Sequence, residues 1–413
     1  MTAFRWSLLL SLVAGLAGPA QAQQAGSRAP DYRFSRAILA QWQHDSLWAN
    51  YQNYAVQFSR IGDYPHTLAA QSAFEKGRGD SDRNVRFDPA YAAQFHAVAA
   101  QPELLRRTAT RQLVLFNEAH YQPLNRVFTR SMLAGLYGQG FRYLCVEDLA
   151  NGPLADTQLN QRKYPTRATG FYQPEPQYGE LLRTALALGF TLVPYEYVPT
   201  EKAADPMAGL LAREMGQARN IQQILTRDPR AKIVVHVGYG HLVEQLNSNG
   251  NGSMGGYLKK YTGLDPFTIH QVDLLEHADP QLDNPYRALL HADQPSVFVN
   301  AQGALFNSPR DSAKWDVSVY FPATTYAHGR PTWLLMGGRR RYYPLTTKNL
   351  PLGFPCLVRA YHAGEDVAQA IPADVVEWQD ARQDLALVLG PGRYALVLED
   401  AQGHTRQQAI RVR

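Results

Sequence analysis

The sequence predicts an α/β protein with a mainly parallel sheet and helices on both faces, an N-terminal helical segment and a small C-terminal all-β module. Three observations carry this. Five short, mainly apolar runs, residues 112–116, 143–146, 190–195, 232–237 and 267–272, read as strands of the kind found in mainly parallel sheets. Stretches with helix-like apolar spacing separate them, the pattern of βαβ units. From residue 296 onward the helical spacing fades, and turn residues divide short β-like segments. With 413 residues, 45% of them hydrophobic, the chain has material for a sizeable core and two domains are expected.

Taken in order, residues 1–22 read as a secretory signal peptide: Arg5 is followed by an apolar stretch at 7–16 and by Ala20-Gln21-Ala22, where cleavage is expected after Ala22. The apolar stretch falls short of the roughly 20 residues a membrane span needs. No cysteine stands near the cleavage point to carry a lipid anchor. The expectation is an exported protein, periplasmic or extracellular, without a transmembrane span in the mature chain. Residues 23–105 form a linker and a helical segment, with helical spacing at 37–42 and 91–98 and no strand.

Residues 106–344 hold the α/β domain. Its helices are expected at 124–136, at 178–188, ended by Gly189, and at 207–225. A glycine-rich loop at 247–256 leads into a helix at 257–261, and β-like segments come after it at 297–299, 317–321 and 332–336. Residues 345–413 make the β module, with strands at 357–361, 373–378, 384–389, 393–399 and 407–412. The turn Gly390-Pro391-Gly392 is expected to join a hairpin, with Tyr394, Leu396 and Leu398 on one side. Cys145 and Cys356 lie in separate apolar segments and are expected as buried free thiols. Net charge is +5, and no basic run is longer than Arg339 to Arg341, so nucleic acid is not an expected partner.

The carboxyl ends of the expected strands carry the chemistry. The first runs into Asn117-Glu118-Ala119-His120, the second into Glu147-Asp148, the third into Glu196 and the fourth into Gly238-Tyr239-Gly240-His241. Open α/β sheets bind ligands beyond the carboxyl ends of their strands. Imidazoles and carboxylates meeting on one rim suit general acid–base chemistry or a metal site. His120 leads because an imidazole takes a proton from water near neutrality; Glu118 is weighed evenly between a role in the site and a helix cap. His236, inside its strand, reads as a hydrogen-bonded core residue. Arg213 and Asn220 lie on neighbouring turns of one helix and, with Arg130 and Glu196, are candidates for binding substrate; for Arg213, Asn220 and Arg130 a solvated polar helix face is an equal alternative. No Gly-x-Ser-x-Gly elbow, HExxH or paired-cysteine motif is present.

Together, in this order over residues 112–272, these motifs resemble the erythromycin esterase-like group and its TraB/Tiki and ChaN relatives. Ser253-Met254-Gly255-Gly256-Tyr257-Leu258 is also similar to a Met-Gly-x-x-Leu segment of the esterase-like proteins. The departures are Asn117 in place of a glycine, one residue rather than two between Glu118 and His120, and Tyr121 after the histidine; the shorter spacing is nearer the TraB and ChaN forms. The resemblance implies a hydrolase without an obligatory cofactor, with His120 as base, Glu118 and Glu147 orienting it, and His241 meeting substrate or a developing oxyanion. It implies a small-molecule ester or lactone as substrate. The alternatives are a divalent metal held by His120, Glu147 and His241 with Glu118 as base, as in Tiki-type proteolysis, or a non-catalytic exported protein binding haem, iron or another ligand. The β module is expected to dock on the body as a structural or protein-partner-binding appendage.

Overall fold

The computed structural model describes residues 32–79, 87–201, 203, 205–309, 311–347 and 352–413. The expected signal peptide, residues 1–22, therefore lies outside the described residues. The N-terminal part forms helices α1 (Ser35–His44), α2 (Tyr51–Arg60), α3 (Tyr64–Arg78) and the short α4 (Pro89–Ala92), and then strand β1 (Phe95–Ala99) and helix α5 (Ala100–Thr108). The strand corrects the expectation of helix at 91–98. Phe95–Ala99 is half-exposed at a sheet edge, so its alternation is blurred and periodicity alone misreads it. The boundary placed at 105 likewise falls inside α5.

The α/β core then runs β2 (Leu113–Glu118), α6 (Pro123–Gly138), β3 (Tyr143–Val146), α7 (Leu159–Arg162), α8 (Pro176–Leu188), β4 (Thr191–Pro194), α9 (Pro206–Arg227), β5 (Ile233–Gly238), α10 (Met254–Thr262) and β6 (Phe267–Leu274). β7 (Ser296–Asn300) and β8 (Val317–Tyr320) complete an eight-stranded sheet of order β1-β7-β8-β6-β2-β5-β3-β4. Pairs from β8 through β6, β2, β5 and β3 to β4 are parallel, while β7 and β1 add antiparallel.

Successive residues along the central strands enter different cores, as the two-residue period requires. Val114, Phe116, Leu144 and Val234 pack with residues of α2, α6 and α8, whereas Leu113, Leu115, Cys145, Ile233 and Val235 pack with residues of α9 and α10. The helices thus cover both faces. Helix ends obey local chemistry: Glu175 caps α8 through Gln177 and Tyr178, Gly189 ends it in the left-handed region at φ 100°, and Asp205 with Pro206 starts α9. α10 starts at Met254 rather than 257 because the Glu214 carboxylate accepts the Met254 amide (2.7 Å).

Beyond the sheet come β9 (Tyr326–Ala327), β10 (Arg330–Pro331), β11 (Arg341–Pro344), β12 (Cys356–His362), β13 (Asp374–Trp378), β14 (Ala386–Leu389), β15 (Gly392–Asp400) and β16 (Thr405–Val412). Residues 332–335, expected as β, form a 3-10 turn. β11 pairs with β14, so the antiparallel region reaches back before residue 345. β14 and β15 do not pair with each other: β15 lies between β12 and β16, and Gly390-Pro391-Gly392 carries the chain from one sheet to the next. Tyr394, Leu396 and Leu398 do share the buried face. Both cysteines are free and buried.

The β module docks on the body through charged groups. Arg183 of α8 meets Glu365 (2.7 and 2.6 Å), Glu180 meets His362 (2.7 Å), Arg340 donates to Gln177 (2.7 Å) and Arg330 pairs with Asp374 (2.6 Å).

Candidate functional site

β2 ends on Glu118, whose carboxylate is 2% exposed. It accepts from Arg126 Nε (2.7 Å) and Nη2 (2.8 Å), His120 Nδ1 (3.1 Å) and His236 Nε2 (2.8 Å). Four donors fill the acceptor capacity of a carboxylate. Burial would raise the Glu118 pKa, but the Arg126 guanidinium and the two imidazoles hold it well below the carboxylate range. Glu118 is therefore a fixed anion, neither a helix cap nor a free base. Arg126, fully buried one turn into α6, also donates to Glu175 Oε2 (3.0 Å) and to the His120 carbonyl (2.7 Å), and it lies over the Tyr178 ring at 4.5 Å. His236 is the hydrogen-bonded core residue expected, with its Nδ1 buried and without a partner.

Because Glu118 only accepts, Nδ1 of a neutral His120 carries the proton and Nε2 presents its lone pair. The ring lies face to face with Tyr172 (4.2 Å, 11°) and edge to face with Tyr239 (5.1 Å, 89°). Its Nε2 lies beside Gly238, where glycine is needed for space: a Cβ there would stand 2.4 Å from His120 Cε1, 2.7 Å from Nε2 and 3.0 Å from Glu147 Oε2. Tyr239 takes a left-handed φ of 38°, its carbonyl accepts from Asn117 Nδ2 (2.8 Å) and its hydroxyl accepts from Gln52 of α2.

Glu147 lies on the other side. Its Oε2 accepts the Gly238 amide, and its Oε1 meets Arg213 Nη2 (2.6 Å) and His241 Nε2 (3.5 Å). Burial opposes its charge, yet His241, Arg213 and His120 lower its pKa to about 2. Arg213 also bonds Glu196 through Nε (3.0 Å) and Nη2 (2.5 Å), and Gln217 donates to Glu196 as well. His241 Nδ1 lies 2.7 Å from Glu214 Oε1. Burial would lower the His241 pKa; the Glu214 and Glu147 carboxylates outweigh it and raise it to about 9. Asp148, next in sequence, turns the opposite way and accepts from the Phe171 and Tyr172 amides and from Gln173. Burial pushes it up to about 6 against those donors.

The structure thus gathers His120, Glu118, Glu147, His241, Glu196 and Arg213 at the carboxyl ends of β2, β3, β4 and β5. Asn220 backs this cluster by donating to the Tyr195 and Glu196 carbonyls (3.0 and 3.2 Å). Arg130 is not brought in: one turn beyond Arg126, it faces α8 and engages Thr184 (2.7 Å) and Glu180 (3.1 Å). The donor set His120, Glu147 and His241 does not fit a metal. The Arg213 guanidinium lies between two of its members, 2.6 Å from Glu147 and 3.2 Å from His241 Nε2, and no group of three or more ligating side chains is arranged for an ion among the described residues. Sequence reasoning missed Arg126, Glu175, Glu214, Tyr172 and Gln52. For Arg126 a signal existed: Asn125 and Arg126 interrupt the apolar spacing of α6 just after Glu118.

No family model matches the chain, and no curated protein matches it in sequence. Among solved structures, the type III effector HopBA1 is 16% identical over 45% of this chain and 92% of its own, with a TM-score of 0.32. RRSP, a MARTX toxin effector domain from Vibrio vulnificus CMCP6, is 14% identical over 52% of this chain at a TM-score of 0.28. A structure described as bacterial protein toxins is 19% identical over 55% of this chain at 0.31. The chain spans 45% of the RRSP chain and 50% of the latter. Likeness of this degree assigns neither a family nor an activity. No helix among the described residues is long and apolar enough to cross a membrane.

Proposed function

We propose that the chain is an exported hydrolase of an ester or lactone in which His120 is the general base. One observation carries the reading: Glu118, saturated and ionised, engages His120 through Nδ1 and leaves Nε2, on a side chain that is 17% exposed, without that bond. Water bound at Nε2 gives up a proton as its oxygen adds to the acyl carbon. The tetrahedral oxyanion then collapses, and the leaving alkoxide takes the proton back from Nε2. Arg213 and His241, with side chains 29% and 18% exposed, place positive charge beside Glu147 and supply stabilisation for the oxyanion. The substrate class comes from the likeness of the 112–272 motifs to the erythromycin esterase-like group.

The test is a panel of esters, lactones and peptides with the full chain and its His120→Ala variant. Hydrolysis of one class that falls at least about 100-fold in the variant supports the reading. Turnover that persists in a folded His120→Ala protein overturns it.

A further inference from the structure

A single hydrogen bond at Nδ1 does not fix an imidazole. The χ2 torsion of histidine is broad and roughly two-fold, so the ring can turn out of its bond to Glu118 and lose with it both the tautomer that bond selects and the placement of Nε2. Tyr239 meets the ring at its edge, and Tyr172, parallel to the imidazole at 4.2 Å and 11°, covers its face and opposes that rotation. Tyr172 lies on a loop, and its position depends on a carboxylate that does not touch His120. Asp148 Oδ1 accepts from the Phe171 amide (2.9 Å) and the Tyr172 amide (3.0 Å), and Oδ2 from the Tyr172 amide (2.8 Å) and Gln173 Nε2 (2.9 Å). The approach is close enough to demand a glycine before the turn, since a Cβ on Gly170 would stand 2.0 Å from the Asp148 carbonyl oxygen and 2.9 Å from Oδ2. The Ala150 amide also bonds the Thr169 carbonyl (2.9 Å). The 169–173 turn is thereby fastened to the end of β3.

We infer that Asp148 is a positioning residue, which fixes the plane and tautomer of the His120 imidazole by holding Tyr172 against its face. The dipeptide Glu147-Asp148 then serves His120 from two sides, Glu147 through charge beside Nε2 and Asp148 through a stacked ring. This rests on reading His120 as the base, but its test observes the imidazole itself.

Full-length protein with ¹⁵N-labelled histidine is examined by long-range ¹H–¹⁵N correlation at about pH 8, where a neutral imidazole reports its tautomer, and the His120 signals are assigned by their loss in His120→Gln. The wild type is expected to show one tautomer, protonated at Nδ1. Tyr172→Phe keeps the stack and the tautomer. Tyr172→Leu, which leaves the Asp148 anchors in place, and Asp148→Asn, which replaces one acceptor oxygen with a donor, both give averaged tautomers. On a hydrolysed substrate the last two lose about 10- to 100-fold in kcat with KM little changed, the scale of a misplaced catalytic group. A single unchanged tautomer in a folded Tyr172→Leu protein overturns the inference, whether or not Asp148→Asn folds. Failure of every ester and lactone, with the tautomer pattern as expected, removes the hydrolase reading and leaves the positioning role standing.

Discussion

Glu147 has an imidazole on either side, and the two are held in opposite ways. His120 is held by two rings and by one carboxylate that it shares with Arg126 and His236. His241 sits among Glu214, Glu147 and Arg213 and is raised to about 9. An ion lattice fixes charge, so His241 stays an imidazolium through neutrality. A ring-lined slot fixes orientation instead and leaves a nitrogen for proton transfer. The same side chain thus becomes a static cation in one setting and a base in the other.

The contrast can be broken most directly at His120. His120→Ala is expected to cost about 100- to 10,000-fold in kcat on the substrate class identified while the circular dichroism spectrum stays native. Next comes the anion behind it. Arg126→Met strands Glu118 and Glu175 as buried carboxylates, and urea denaturation should show a loss of about 3–5 kcal/mol. Gly238→Ala acts where the two settings meet, since the added methyl collides with both His120 and Glu147. About 100-fold in kcat is expected to be lost, together with a drop in melting temperature from the overpacking, while the circular dichroism spectrum stays native.

The smallest effect concerns His241 and shows in stability. Its folded pKa of about 9 stands above the ordinary value of 6.5, so its contribution is complete below about pH 6.5 and is lost as pH rises through 9. Melting temperature should therefore fall between about pH 7 and 9, and His241→Gln should flatten that fall by an amount on the order of 2 kcal/mol. His277, held between Glu75 and Asp283 and also raised to about 9, contributes a second share of the same slope. A slope unchanged in His241→Gln would mean that the imidazole is not the cation the carboxylates imply.

Burial decided how much of the fold and the rim was legible. β2, β3 and β5 are almost wholly buried, so each stands out as an apolar run, whereas β6 is largely buried but carries Thr268, His270 and Gln271 in the interior. The ionisable residues closing those runs marked the rim, and of the candidate residues only Arg130 and Asn220 stand outside the cluster that meets there. β1 was hidden because its half-exposed sequence Phe-His-Ala-Val-Ala has no clean period. The run Thr332 to Leu335 is apolar without being a strand because its residues pack in a single turn against α6. Arg126 and Tyr172 were hidden for another reason: their partners are Glu118, Glu175 and His120, and only the fold shows that a helix and a loop bring them together. Arg130 was the candidate and Arg126 was not, yet a four-residue step along α6 turns Arg126 toward Glu118 and Arg130 toward Glu180.

α8 starts beside Glu175, which braces Arg126, and along its length Glu180 and Arg183 reach the β module. Arg183 stands 182 residues before Glu365, and Glu180 stands equally far before His362. A chain emerging from its N-terminus builds every strand of the parallel sheet before it makes these partners. Until then Glu180 has Arg130 and Arg183 as its partners, and Arg183 lacks Glu365. The β module, expected to dock on the body, thus ties two α8 side chains to residues that a fragment ending before it would lack.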